Sequence, residues 1–179
     1  MILLVIDIQK GITDERLYAF DGFVGNVQKL IGVARKNGVE VIYVQHDDGP
    51  GTGFSIGDEE FEISELVAPK EGEKIFVKEI NSCFGNKEFV AYLEGKKDKD
   101  LMIVGLQTNF CIDASIKSAF ERGYHVIVPE GANSTFDNDY MSGETTYRYY
   151  NEFIWPNRFV DSVDVEEAIA LLEGRSNEE

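Results

Sequence analysis

The sequence predicts a three-layer α/β/α protein on a mostly parallel, Rossmann-like sheet of about six strands in the order 3-2-1-4-5-6. Three observations lead there. Short apolar runs alternate with stretches of helical period, most of the runs are apolar on both faces, and ionisable residues stand at the ends of several of them. Strands wetted on one face would alternate instead.

In chain order, Ile2 to Ile6 reads as the first strand. Phe23, Val27, Leu30, Ile31 and Ala34 keep a helical spacing that Asn37-Gly38 closes, and Val39 to Val44 forms the second strand. Gln45 to Gly72 contains Gly49-Pro50-Gly51, Gly53 and Gly57 and then an acid-rich run, which predicts a long loop packed on itself or on a neighbouring subunit. Lys74 to Val77 is the third strand, followed by a helix over Lys87 to Leu93. Leu101 to Val104 is the fourth. A helix opens at Cys111, with Ile112, Ile116, Ala119 and Phe120 on one stripe and Gly123 as terminator. His125 to Val128 is the fifth strand, Tyr140 to Glu152 a further helix, and a sixth strand lies near Phe159 and Val160. The last helix, Val165 to Leu172, has Asp164 as its N-cap, and the polar tail Gly174 to Glu179 is expected to fray into solvent.

A length of 179 residues predicts one domain over residues 1–179, with enough core to fold without metal or disulfide staples. Met1 to Ile6 is apolar but has no basic start and no cleavage site, so it reads as a strand rather than a signal peptide. No apolar stretch approaches a bilayer span. Cys83 and Cys111 are too few for a secreted disulfide scaffold, which predicts a cytoplasmic protein with free thiols. A net charge of −16 argues against nucleic acid or an anionic membrane as partner and reads as a solvated acidic surface.

In an open parallel sheet, ligands bind beyond the carboxyl ends of the strands. Asp7 ends the first strand, Lys78 ends the third, and Cys111 follows the fourth. Alone, each has an ordinary alternative: Asp7 a turn or cap, Lys78 a surface ion pair, Cys111 a packing residue. Together their chemistry is complementary. A carboxylate can take the thiol proton, an ammonium can hold the resulting charge, and a thiolate can attack a carbonyl. A cysteine opening a helix also sits in the positive field of the free N–H groups, which predicts a lowered thiol pKa.

Rival chemistries find less support. His125 enters a strand expected to be buried, and His46 follows a strand and could reach the pocket to polarise substrate or serve as a base. No serine stands in a nucleophile elbow, and Asp7-Ile8-Gln9-Lys10-Gly11 fits neither dinucleotide nor P-loop spacing, so no cofactor is expected. Gln45-His46-Asp47-Asp48 could contribute to a metal site but lacks further ligands, and the preferred reading is a turn-forming acidic loop with no metal.

Certain segments are more specific than these positions. Leu4-Val5-Ile6-Asp7-Ile8-Gln9, Val41-Ile42-Tyr43-Val44-Gln45-His46, Lys78-Glu79-Ile80-Asn81-Ser82-Cys83-Phe84 and, above all, Gly105-Leu106-Gln107-Thr108-Asn109-Phe110-Cys111-Ile112 resemble the isochorismatase-like cysteine hydrolases, the group that includes nicotinamidases and N-carbamoylsarcosine amidohydrolases. The resemblance covers nearly the whole length. It implies hydrolysis of an amide-type carbon–nitrogen bond of a small-molecule substrate, with Cys111 as nucleophile forming a thioester, Asp7 as the proton-transfer group and Lys78 lowering the thiol pKa. It also implies a non-proline cis bond at Leu106-Gln107 and an oxyanion hole of the Gln107 and Cys111 backbone N–H groups.

Departures from the family pattern bear on substrate. Nicotinamidases hold a metal through an Asp-x-His pair and another His after the second strand, whereas this chain has Gln45-His46-Asp47-Asp48 and no second His following. Cys111 itself points to amide rather than enol-ether chemistry, and Pro129-Glu130-Gly131-Ala132 replaces a commoner acidic-small pair. Gln9, His46 and Phe84, then Phe54, Tyr140 and Trp155, are the candidates to contact substrate. Relatives of this kind are commonly oligomers, which implies a homodimer or higher assembly with Tyr147 to Trp155 as an interface. Two other functions remain open on the sequence: a catalytically silent binding protein of the same fold, and a redox sensor joining Cys83 to Cys111.

Overall fold

The computed structural model describes residues 1–174. From Arg175 onward, the tail expected to fray lies outside the described residues. A parallel sheet runs through the centre: β1 (Ile2–Ile6) lies between β2 (Glu40–His46) and β4 (Asp100–Leu106), with β3 (Lys74–Lys78) beyond β2. β5 (His125–Pro129) continues from β4, the two-residue β6 (Asn133–Ser134) pairs with the end of β4, and β7 (Asp161–Val163) closes the far edge. The seven-stranded order β3-β2-β1-β4-β5-β7, with β6 off this path, is the predicted order with one strand added.

Side chains of β1 alternate between two cores, as the strand period requires. Leu3 and Val5, with Met102 and Val104 of β4, pack beneath α1 (Phe20–Lys36) and α5 (Val165–Leu172), while Ile2, Leu4, Ile6 and Ile103 pack beneath α2 (Lys87–Glu94) and α3 (Asp113–Glu121). This two-sided burial explains the unbroken apolar runs. The buried stripe of α1 is Phe23, Val27, Leu30, Ile31 and Ala34, as its spacing predicts, and each such side chain contributes about 1.5–3 kcal/mol on leaving water. Asp164 caps α5 by accepting the Glu167 N–H at 2.8 Å.

Differences from the sequence reading have local causes. Residues 159–160 form no strand, because the N–H groups of Phe159 and Val160 turn back to the Trp155 carbonyl at 2.9 and 3.3 Å, and the edge strand begins at Asp161. The helix expected over Tyr140 to Glu152 is α4 (Gly143–Arg148), continued by a wider π-helical stretch, Tyr149–Ile154. His125, expected in a buried strand, is exposed at the start of β5. There its ring bridges Asp100 Oδ1 at 3.0 Å and Asp161 Oδ2 at 2.7 Å.

The long loop packs on its own chain. Ser64 N–H donates to the Ile8 carbonyl at 2.9 Å, Lys10 N–H to that of Glu62 at 2.9 Å, and the Gln9 and Gln45 amides both donate to the Phe61 carbonyl, at 2.8 and 2.9 Å. The loop's base is thereby fixed beside the end of β1. No helix among the described residues is long and apolar enough to cross a membrane.

Gly105 sets the spacing of the two central strands. Its φ is 129°, and a Cβ built on it would lie 2.0 Å from the Ile6 carbonyl oxygen. Gly105→Ala should therefore push β4 from β1 and lower stability by more than about 2 kcal/mol, measured by denaturant unfolding. His125 should contribute in one pH range only. The hydrogen bond to Asp161, working against partial burial and aided by Asp100, raises the imidazole pKa, so its stabilisation is present below the unfolded value and fades as pH rises through the folded one. His125→Gln should melt below the wild type at about pH 5.5 and equal it at about pH 9. The pair is half exposed and screened, so the difference should stay within about 1 kcal/mol.

Candidate active site

Register brings the strand-end residues together. His46 and Lys78 are cross-strand partners at the ends of β2 and β3, while Ile6 is level with Val44 and Gly105. Asp7 follows at once, in the left-handed region at φ 52°, which aspartate tolerates better than most residues. After β4 the chain passes through a cis peptide bond at Leu106-Gln107, at the position expected, into a π-helical turn, Thr108–Ile112, that carries Cys111.

The Lys78 ammonium is the hub. Its Nζ donates to Asp7 Oδ2 at 2.7 Å and to Cys111 Sγ at 3.3 Å, and lies 3.0 Å from His46 Nδ1. Asp7, Lys78 and Cys111 are all buried. Oδ1 of Asp7 is buried without a hydrogen-bond partner among the described residues, an acceptor left free on the carboxyl that neighbours the thiol. Asn81, which the sequence offers only as part of the lysine segment, places Oδ1 3.8 Å from Sγ.

Burial raises the Asp7 carboxyl, and the Lys78 charge beside it only partly offsets this. Burial and then the Asp7 charge push the Cys111 thiol up to about 12, against the pull of Lys78. Burial works against the ammonium too, but Asp7 and Cys111 more than compensate, and the Lys78 pKa is raised. Two anionic positions compete for one cation, so ionisation of the carboxyl and of the thiol oppose each other. The lowered thiol pKa expected from a helix start is not found in this resting arrangement. Cys111 sits in a π turn ahead of α3 and is desolvated beside an anion, and these effects outweigh the turn's dipole.

His46, Asp7 and Cys111 each offer one potential metal ligand, and the three atoms lie within 4.8 Å of one another, a grouping hidden in sequence because it spans three elements. Lys78 Nζ contacts all three.

The other named residues fall in several places. Gln9 is fully buried, its Nε2 donating to the His46 and Phe61 carbonyls and its Oε1 accepting the His46 N–H, so it ties β1 to β2 and has no free donor for a ligand. Phe84 is also turned inward, packed on Phe89 and Tyr124 beneath Arg122. Trp155 is wholly buried with its Nε1–H on Asp113, and Tyr140 is 92 % exposed. Cys83 is completely buried, accepts from the Ser115 hydroxyl at 3.3 Å and is pushed by burial up to about 12, a poor setting for thiol exchange.

A polar network that the sequence reading missed steadies the Cys111 turn. Thr108 donates to Asn133 Oδ1 at 2.7 Å, Asn133 pairs reciprocally with Asn151, and the Thr135 hydroxyl lies 2.7 Å from Asn109 Oδ1 and 3.2 Å from Gln107 Oε1. The run Asn133-Ser134-Thr135 after an apolar stretch was the available signal.

The isochorismatase domain model matches residues 1–152, and the chain belongs to the isochorismatase family of hydrolases. An uncharacterised family member from Bacillus subtilis strain 168, YddQ, is 34 % identical over 138 residues, covering 74 % of this chain and 77 % of that protein. The ureidoacrylate amidohydrolase RutB of Agrobacterium fabrum is 25 % identical over 191 residues, covering 86 % of this chain and 84 % of its own. A solved cysteine hydrolase from Pseudomonas syringae pv. phaseolicola superimposes with a TM-score of 0.86 at 24 % identity, over 98 % of this chain and 93 % of that one, and supports the fold.

The competition for one cation predicts an inversion. Asp7→Asn removes the charge that holds the thiol neutral, so iodoacetamide at about pH 8 should modify Cys111 at least about tenfold faster than in the wild type, while Lys78→Met should slow it. Peptide mass analysis of Cys111 measures both rates, and equal rates in wild type and Asp7→Asn would refute the competition.

Proposed function

We propose that this protein hydrolyses an amide-type carbon–nitrogen bond of a small molecule through a thioester on Cys111. The observation that carries the reading is the Lys78 ammonium in contact with both Asp7 and Cys111, beside a carboxylate oxygen left free to accept a proton. Kinship with an amidohydrolase over most of the chain supports the same bond type.

In this mechanism the substrate carbonyl enters above Sγ. Asp7 accepts the thiol proton as sulfur attacks the carbonyl carbon, and the competition turns in favour of thiolate because the proton moves onto Asp7 itself. The carbonyl oxygen becomes an oxyanion, for which the backbone N–H groups of Gln107 and Cys111 are the donors. Asp7 then gives its proton to the departing nitrogen, the carbon–nitrogen bond breaks, and the acyl group remains on sulfur. Water adds to the thioester with Asp7 taking its proton. Collapse releases the carboxylic acid, and the proton returns to sulfur.

Lys78 remains charged throughout and balances whichever partner is anionic. Exposed Phe110 beside Cys111 and exposed Ile80 beside Asn81 offer apolar surface to the substrate body. We assign the chain to the cytoplasm as one domain over residues 1–179. It assembles as a homodimer or higher oligomer, and the exposed rings of Tyr149 and Phe153 support an interface in that region.

Ammonia release from a panel of small primary amides and ureido acids tests the reading, with Cys111→Ala as the blank. The wild type should release ammonia and a quench should trap an acyl mass on Cys111, while Asp7→Asn should lose about a thousandfold in rate. Equal release by Cys111→Ala would overturn it.

A further inference from the structure

The Lys78 ammonium has three N–H groups and, at full burial, needs three acceptors. Asp7 and Cys111 supply two. His46 Nδ1, at 3.0 Å, is the third, and because an ammonium can only donate, Nδ1 must be the unprotonated nitrogen of that ring. The proton then lies on Nε2, which meets Asp48 Oδ1 at 2.9 Å.

We propose that His46 is a positioning residue of the catalytic centre, holding the Lys78 ammonium against Cys111, and that Asp48 fixes the imidazole in the tautomer this requires. The inference rests on the proposed amide hydrolysis and deepens it. His46 is held at its base as well as its tip: its N–H donates to Gln9 Oε1 at 2.8 Å, and its carbonyl accepts from Gln9 Nε2 at 3.0 Å. The buried Gln9 amide thus sets the backbone, Asp48 sets the ring, and the ring sets the lysine. With both ring nitrogens engaged, the imidazole holds the lysine and does not itself grip a ligand.

Without the third acceptor, one N–H of a buried cation is unpaired. The ammonium then swings toward Asp7, its shorter contact, and away from sulfur. The loss should fall on thiolate formation rather than on substrate affinity, which separates positioning from substrate contact.

The test compares His46→Leu, His46→Asn and Asp48→Ala with the full-length wild type. Asparagine can present Oδ1 near the place of Nδ1, while leucine fills space without an acceptor. Iodoacetamide modification of Cys111 at fixed pH should slow by about tenfold in His46→Leu, recover most of the way in His46→Asn, and slow by about threefold in Asp48→Ala. On any amide the wild type cleaves, kcat should fall in the same order with KM little changed. Wild-type alkylation in His46→Leu, no recovery in His46→Asn, or a rise in KM alone would each overturn the proposal. Asp48 is more than half exposed, so Asp48→Ala keeps the question decidable if His46→Leu does not fold: slowed alkylation supports the proposal, and a wild-type rate refutes it. The alkylation arm uses no substrate. A wild type that cleaves no amide would therefore sink the hydrolase reading while leaving the placement of Lys78 measurable.

Discussion

One buried cation facing two acids is the constraint around which this protein is arranged. An ammonium without solvent cannot remain charged unless its donors are met, and a carboxyl and a thiol side by side cannot both ionise against a single positive charge. Lys78, Asp7 and Cys111 meet these conditions together: the ammonium donates to both partners, and the carboxyl and the thiol are each raised. Removing one partner of such a buried pair costs about 3–5 kcal/mol in known cases, so the surrounding structure has to hold all of them in register.

That register comes from the sheet. The three groups belong to different βα units, and they meet because β3, β2, β1 and β4 are adjacent and parallel, with their carboxyl ends level. Gly105 permits β4 to approach β1 at the point where both strands finish, and the chain then turns back to present the thiol. The apolar faces of β1 fill two cores, so a shift of one residue would break both layers as well as the site.

Much of this was legible in the residues. Apolar runs gave the five principal strands, the central ones because burial on both faces leaves a continuous hydrophobic signature; their order came with the Rossmann-like class, and the spacing of Phe23, Val27, Leu30 and Ala34 gave α1. Asp7, Lys78 and Cys111 were legible as strand-end polar residues. Less was visible where a signal is short or depends on contacts distant in sequence. β6 is two polar residues with no alternation to read, and the π turn holding Cys111 has the composition of an ordinary helix start. Gln9 and Phe84 looked like lining residues because they stand beside motif positions, yet hydrogen bonds across strands and a cluster of rings turn them inward. The direction of the thiol's pKa was misread for the same reason: the helix dipole is a local property, whereas burial and the neighbouring carboxylate are tertiary ones.

The way the long loop is fastened has a consequence for how such a protein diversifies. Gln9 and Gln45 grip a single carbonyl, that of Phe61, while Asp48 N–H holds the Phe54 carbonyl, and Gly49, Gly51, Gly53 and Gly57 between these anchors all adopt positive φ. The stretch behaves as a cassette clipped at its hinges. Its interior can change in sequence while the anchors, and the ends of β1 and β2 that they grip, stay where they are.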